Sequence, residues 1–307
     1  MAAAAQLGPI DRGTPRADVV ARMVGLIHEA SACGCRLVVF PELALTPFFP
    51  RWHIEDAAEV QSYFESEMPG PPTQPLFDAA RQAGVAFYLG FAERDPHETG
   101  ADHLGWNTSV LVDQNGETRL RYRKVHVPGN KRPDASLAQQ HLEPWYFKDG
   151  DLGFPVAQMM GGRMGMLICN DRRWPEAWRM FGLQGAELVC LGYNTPSQLP
   201  DTPAQNPLRK MHHLLPMQAG AYQNGLWVIA SAKAGTEGGC HMMGHSCVIA
   251  PSGEVVAQAR TDGDELVPYQ IDLDATEEYK RVFDFAAYRR PDAYGLLTQP
   301  HDTDPQK

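Results

Sequence analysis

The chain has 307 residues, with 27 Lys+Arg against 37 Asp+Glu and a formal net charge of −10. Its 43% hydrophobic and 21% charged residues exclude disorder as the dominant state. The acidic excess argues against a general affinity for nucleic-acid phosphates or anionic lipid, while leaving room for a local basic pocket.

No apolar run approaches the ~20 residues of a membrane helix, and the opening MAAAAQLGPI lacks the basic residues and long apolar stretch of a signal peptide. A cytoplasmic location is expected. The chain starts almost at its first strand, as though a few leading residues were missing. Six cysteines without a CxxC pair are too sparse for a disulfide scaffold and read as reduced, mostly buried small hydrophobes.

In chain order, Ala2–Leu7 reads as a first strand and Asp18–Cys33 as a helix, with Val19, Met23, Leu26 and Ile27 near helical spacing. Arg36–Phe40 is a β-branched run stopped by Pro41. Gln74–Ala83 is a helix and Val85–Phe91 a strand; Asn107–Val112 and Glu117–Tyr122 flank the turn Asp113-Gln-Asn-Gly116. The stretch 127–151 is long, polar and aperiodic, the kind of loop that often carries function.

The second half repeats the grammar. Met164–Cys169 is a strand, Pro175–Gly185 a helix, Glu187–Gly192 a strand, Leu208–Asn224 a helix and Leu226–Ala232 a strand. Ser246–Ala250 and Glu254–Gln258 then form a hairpin around Pro251-Ser-Gly253, and Val267–Leu273 closes the series. Each half is strand–helix–strand–helix–strand plus a hairpin, which predicts an α/β domain with mixed sheets over the whole of 1–307. The tail from about 285 is Pro-rich and polar, suited to packing on a neighbouring subunit or to fraying.

Ligands in α/β sheets gather beyond the carboxyl ends of strands. Glu42, Lys124, Cys169 and Asn194 all stand there. A free thiol is only a few per cent ionised at neutral pH. Glu42 can take its proton, and Lys124 can stabilise a thiolate and the oxyanion of a tetrahedral intermediate, which together describes acyl transfer through a covalent thioester-type intermediate. Singly, each has an ordinary reading as a solvated acid, a charged strand end or an inert core cysteine.

The residues around them narrow the choice. Val-Val-Phe-Pro-Glu42-Leu, Tyr-Arg-Lys124-Val-His-Val-Pro-Gly129 and Ile-Cys169-Asn-Asp-Arg-Arg-Trp-Pro-Glu176 resemble the three catalytic blocks of the nitrilase superfamily of carbon–nitrogen hydrolases, in that order. The nearer resemblance within it is to the D-carbamoylases. It is carried by Phe-Phe-Pro-Arg-Trp-His53, Glu67-Met-Pro-Gly-Pro, Gln140-His-Leu-Glu143, Gly150-Asp-Leu-Gly-Phe-Pro155, Gly192-Tyr-Asn-Thr-Pro196, His212-His-Leu-Leu-Pro-Met-Gln-Ala-Gly220 and Gly244-His-Ser-Cys247.

The resemblance implies a four-layer αββα sandwich, two mixed sheets with helices outside, with neither metal nor organic cofactor, and assembly into homo-oligomers, dimers or tetramers. It assigns Glu42 as general base, Lys124 as charge stabiliser, Cys169 as nucleophile and Glu143 as a second glutamate beside the lysine. His126 and His141 match pocket histidines, with a structural role as the competing reading. Arg172 and Arg173 would hold a substrate α-carboxylate through bidentate contacts, one binding and the other structural, unless one pairs with Asp171 or Glu176. Asn170, Asn194 and, more weakly, Thr195 are donors to substrate or to turns.

The implied reaction is hydrolysis of an N-carbamoyl-D-amino acid to the D-amino acid, carbon dioxide and ammonia. Other amides or anionic carbamoyl acids, and a non-catalytic ligand-binding member of the fold, are the alternatives. The loops 130–140 and 197–210 depart from the D-carbamoylase pattern, which puts side-chain preference in doubt. His241 and His245 with Cys240 and Cys247 do not have the spacing of a zinc site, and read as ordinary packing near the hairpin.

Overall fold

The computed structural model describes residues 1–300 apart from 101, 138 and 200–202. The first half runs β1 (Ala2–Gln6), α1 (Arg16–Ala32), β2 (Leu37–Val39), α2 (Ala57–Ser62), β3 (Phe64–Glu65), α3 (Gln74–Ala83) and β4 (Ala86–Arg94), then the hairpin β5 (Gly105–Val112) and β6 (Thr118–Arg123). A short helix α4 (Glu143–Tyr146) leads to β7 (Val156–Met159), β8 (Gly162–Ile168), α5 (Pro175–Leu183), β9 (Leu188–Tyr193), α6 (Arg209–Asn224) and β10 (Trp227–Ala232). Two hairpins follow, β11 (Ala234–Glu237) with β12 (Cys240–Met243) and β13 (Cys247–Ile249) with β14 (Val255–Gln258), and the chain continues through β15 (Glu265–Tyr269) and α7 (Ala275–Phe283).

The repeated grammar becomes two sheets of matching design. One has the order β15-β1-β2-β4-β5-β6, with β3 also on β4; the other is β14-β13-β10-β9-β8-β7. Each has three parallel strands at its centre, β1-β2-β4 and β8-β9-β10, continued on one side by an antiparallel hairpin. Each also has an antiparallel strand on the other edge, β7 beside β8 and β15 beside β1. The first sheet therefore takes its edge strand from near the far end of the chain, pairing Ala2 with Tyr269.

Alternation along the strands builds the layers. Ala2, Ala4, Leu37, Val39, Ala86 and Tyr88 join the core between the sheets. Their neighbours Ala3, Ala5, Val38, Phe87 and Leu89 pack with Val19, Met23, Leu26 and Ile27 of α1 and Leu76, Phe77 and Ala80 of α3. Trp178 and Phe181 of α5 and Met217 and Ala221 of α6 cover the second sheet, completing the αββα sandwich. Burying each Val, Leu, Ile, Phe or Met among them contributes about 1.5–3 kcal/mol. Helices α3 and α6 stop at left-handed glycines, Gly84 and Gly225, which close the last turn before the next strand.

The structure differs from the sequence reading at three places. The stretch 127–151 is not structureless: it contains α4, and isolated bridges pin Gly129 to Leu142 and Gly105 to Phe147. Cys169 lies beyond its strand, in a 3-10 turn spanning Cys169–Arg173 with its own φ at +47°. The closing strand is Glu265–Tyr269 rather than Val267–Leu273, because its register is set by pairing with β1. Among the described residues no helix is long and apolar enough to cross a membrane.

Candidate active site

Glu42 follows β2 in a segment, 41–51, that is buried throughout. Its backbone is gripped by both sheets. A Cβ on Gly90 of β4 would lie 2.8 Å from Glu42 Cα, and one on Gly192 of β9 would lie 2.5 Å from Glu42 N. The two glycines come from different sheets, and only the missing side chain lets the backbones approach this closely.

The Glu42 carboxylate is fully buried and held on both oxygens. Oε1 accepts from Lys124 Nζ at 2.7 Å and Asn107 Nδ2 at 2.8 Å; Oε2 accepts from the Asn194 backbone N–H at 3.0 Å and Asn194 Nδ2 at 3.2 Å. Lys124 stands one residue past β6 and also donates to Glu143 Oε2 at 2.5 Å. Burial works against the Lys124 charge, but Glu143 and Glu42 outweigh it and raise its pKa. Glu143 would likewise be pushed up by burial; Lys124 and His141 win and lower it. His141 Nε2 lies 2.9 Å from Glu143 Oε1. An ammonium has three N–H donors; two are taken by carboxylates, leaving one for a reacting oxygen.

Cys169 meets this triad through Asn194. Its Sγ contacts Asn194 O at 3.5 Å, while the same residue's N–H is on Glu42. Burial first, then Glu42, against Lys124 and Arg172, pushes the thiol up to about 11. Burial and a nearby carboxylate thus favour the thiol over the thiolate at Cys169. Its left-handed φ is an unfavourable conformation for a non-glycine residue, of order 1–3 kcal/mol, and the surrounding turn holds it. Arg172 Nη1 donates to Cys169 O at 2.6 Å, and Asp171 Oδ2 accepts from Ile168 N at 3.1 Å.

The two arginines separate. Arg172 is fully buried and committed to Cys169 O, to Thr195 Oγ1 at 3.0 Å and to His213 Nδ1 at 3.1 Å, with its guanidinium over the Tyr193 ring. Arg173 reaches solvent and has no acidic partner among the described residues. Although the residue is exposed, its guanidinium is crowded: desolvation, then Arg172 with Arg209 behind it, brings its pKa down to about 10. Neither arginine pairs with Asp171 or Glu176. Asp171 instead accepts from Tyr122 Oη at 2.7 Å and from the backbone of His126 at 2.9 Å, and lies 2.8 Å from His126 Nδ1. His126 also stacks on Trp174 at 4.4 Å, and its carbonyl accepts from Asn170 Nδ2.

All eleven residues singled out from the sequence thus fall around one site. Three others belong to it. Asn107 bridges Glu42 Oε1 and Glu143 Oε2, the latter at 3.2 Å; followed by Thr108 and Ser109 in its strand, it carries no local signal of its own. Asp171 lies within the turn that carries Cys169, with partners at Ile168, Tyr122 and His126, and His213 is buried against Arg172. Among the described residues no group of three His, Cys, Asp or Glu is arranged to hold a metal. His241 lies 3.1 Å from Ser197 Oγ, while Cys247 is buried in β13.

The model of the carbon–nitrogen hydrolase family matches residues 1–281. The chain belongs to the carbon–nitrogen hydrolases. A nitrilase from Pyrococcus abyssi is 31% identical over 248 residues, 81% of each chain. An N-carbamoylputrescine amidase from Arabidopsis thaliana is 29% identical and covers 91% of this chain and 89% of its own. Among solved structures, a carbon–nitrogen hydrolase from Helicobacter pylori superposes with a TM-score of 0.82 at 25% identity, over 97% of this chain and 98% of that one. The two matched sheets and outer helices of this carbon–nitrogen hydrolase are the nitrilase-superfamily fold.

Proposed function

We propose that this hydrolase cleaves N-carbamoyl-D-amino acids to the D-amino acid, carbon dioxide and ammonia. Cys169 Sγ attacks the ureido carbonyl carbon as its proton passes to Glu42. The free N–H of Lys124 receives the developing oxyanion. Collapse breaks the bond to the amino-acid nitrogen, and the D-amino acid departs with the proton held by Glu42, leaving a carbamoyl group on Cys169. Water then gives a proton to Glu42 and attacks the acyl carbon; the thiolate leaves and regains the proton. The released carbamate decomposes to carbon dioxide and ammonia. Glu143 and Asn107 keep Lys124 and Glu42 in register.

The single observation that carries an anionic substrate is Arg173. It is an exposed guanidinium without an acid partner among the described residues, beside Arg172 at the end of the turn that begins with Cys169. Such a group favours a carboxylate and repels an ammonium, which argues against a carbamoyl polyamine as substrate. Preference for the D form rests on the resemblance of the motifs. Ammonia release from matched N-carbamoyl-D- and N-carbamoyl-L-amino acids and from N-carbamoylputrescine is the test. Turnover of the D form alone supports the reading; preference for the polyamine overturns it.

The same reading includes a homo-oligomer. Met180, Leu183, Met211 and Leu215 on α5 and α6 are exposed, as are Leu296 and Leu297 in the tail. Light scattering at assay concentration should give a multiple of the monomer mass.

A further inference from the structure

A second buried ion cluster lies away from the thiol. Arg51, Lys233 and Glu237 are all buried, and none has a part in the chemistry. Glu237 opens from the end of β11 and gathers donors on both oxygens. Oε1 accepts from Phe48 N at 2.7 Å and Arg51 Nη2 at 3.2 Å; Oε2 accepts from Ile10 N and Lys233 Nζ, both at 3.1 Å. Lys233 also donates to Thr46 O. Arg51 donates to Phe48 O at 3.1 Å and to the Glu237 carbonyl at 2.8 Å.

These contacts fall on the two segments that carry the site's carboxylates. The first is 41–51, which holds Glu42 and has little regular structure, so its buried backbone groups need partners from elsewhere. The second is 139–143, which holds His141 and Glu143. It is fastened to the first by Gln140 N on Arg51 O at 2.7 Å and Leu142 N on Pro50 O at 2.8 Å, and to the turn of the β11–β12 hairpin by Gln139 Nε2 on Gly238 O at 2.9 Å.

We infer that Arg51, Lys233 and Glu237 are positioning residues which, through the β11–β12 hairpin, set the segments bearing Glu42 and Glu143 in register with Lys124. The inference rests on the reading that those two carboxylates serve Cys169, which Cys169→Ala tests separately. A triad joined at 2.5–2.7 Å tolerates little displacement, and misplacement by about 1 Å can cost on the order of 100-fold in rate.

The test uses Glu237→Gln and Lys233→Met in the full chain, with two readouts. Amide hydrogen exchange requires no substrate: peptides covering 41–51 and 139–147 should exchange at least tenfold faster in both variants, while peptides from α1 and α3 stay unchanged. Ammonia release, from N-carbamoyl-D-phenylalanine or from propionamide if only that is turned over, should show kcat reduced at least tenfold with KM within twofold. Should Glu237→Gln fail to fold, Lys233→Met alone decides, because it leaves the Glu237–Arg51 pair intact. Unchanged exchange in the 139–147 peptide, an unchanged kcat, or a loss confined to KM overturns the inference. Absence of turnover with the N-carbamoyl substrate alone contradicts the proposed substrate and not the positioning role.

Discussion

Replacing Lys124 with Met should reverse the way stability responds to pH. In the wild type one ammonium sits between two carboxylates, all three side chains fully buried. Removing it leaves Glu42 and Glu143 facing each other across Asn107, which donates to them at 2.8 and 3.2 Å. One net negative charge becomes two in a dry site. Breaking a buried ion pair from one side costs about 3–5 kcal/mol, which for a chain of this size lowers Tm by on the order of 10 °C.

The sign follows from proton linkage. In the wild type the Glu143 pKa is lowered on balance, so its contribution is present above the unfolded value of about 4.3 and fades as pH falls through the depressed folded value. In the variant two like charges raise a folded carboxyl pKa above that value. The folded state then binds more protons than the unfolded one, and stability declines as pH rises above about 4.3. Urea unfolding of both proteins from pH 4 to 8 checks this. The difference in unfolding free energy should widen steadily with pH, and kcat should fall by at least about 100-fold. Parallel profiles would refute the buried-charge reasoning.

Four further outcomes are expected. Arg173→Leu should raise KM for N-carbamoyl amino acids by about 10–100-fold, the loss of one charge-assisted contact, while leaving a neutral amide unaffected; steady-state kinetics on both substrates decides it. Gly192→Ala would press a Cβ within 2.5 Å of Glu42 N, so kcat should drop far more than thermal stability. Asp171→Asn turns an amide donor toward groups that donate to both carboxylate oxygens, and should cost about 1–3 kcal/mol in chemical denaturation. Arg172→Met, which strips the carbonyl of Cys169 and Thr195 of their donor, should lower both Tm and kcat even with a neutral amide, unlike Arg173→Leu.

Much of the fold was legible because its signals are local. The apolar spacing of α1, the bounds of α3 at Gln74–Ala83 and the glycine that ends it, and the turns at Asp113–Gly116 and Pro251–Gly253 each lie within a few residues. The duplicated grammar anticipated two sheets of one design. The β11–β12 hairpin, α4 and α7 escaped because their segments are short or mixed in pattern and are stabilised by distant partners.

The site divides in the same way. Glu42, Lys124 and Cys169 stand at strand ends, where chemistry is expected, and their flanking motifs resemble a known family. Their convergence depends on contacts such as Asn194 to Glu42 across 152 positions, which no local pattern encodes. Gly90 and Gly192 lie in strands, where a missing side chain permits close backbone approach. What approaches them emerges only when the two halves face each other. Arg172 and Arg173 are adjacent and chemically identical; burial separates the one that braces Cys169 from the one without an acid partner among the described residues.

The proposed covalent intermediate on Cys169 can be trapped directly. Wild-type protein, quenched by acid during turnover of an N-carbamoyl-D-amino acid and digested, should carry a substrate-derived acyl group on the Cys169 peptide. Cys169→Ala should carry none and release no ammonia. Continued ammonia release by Cys169→Ala, or an adduct on another residue during turnover, would contradict it.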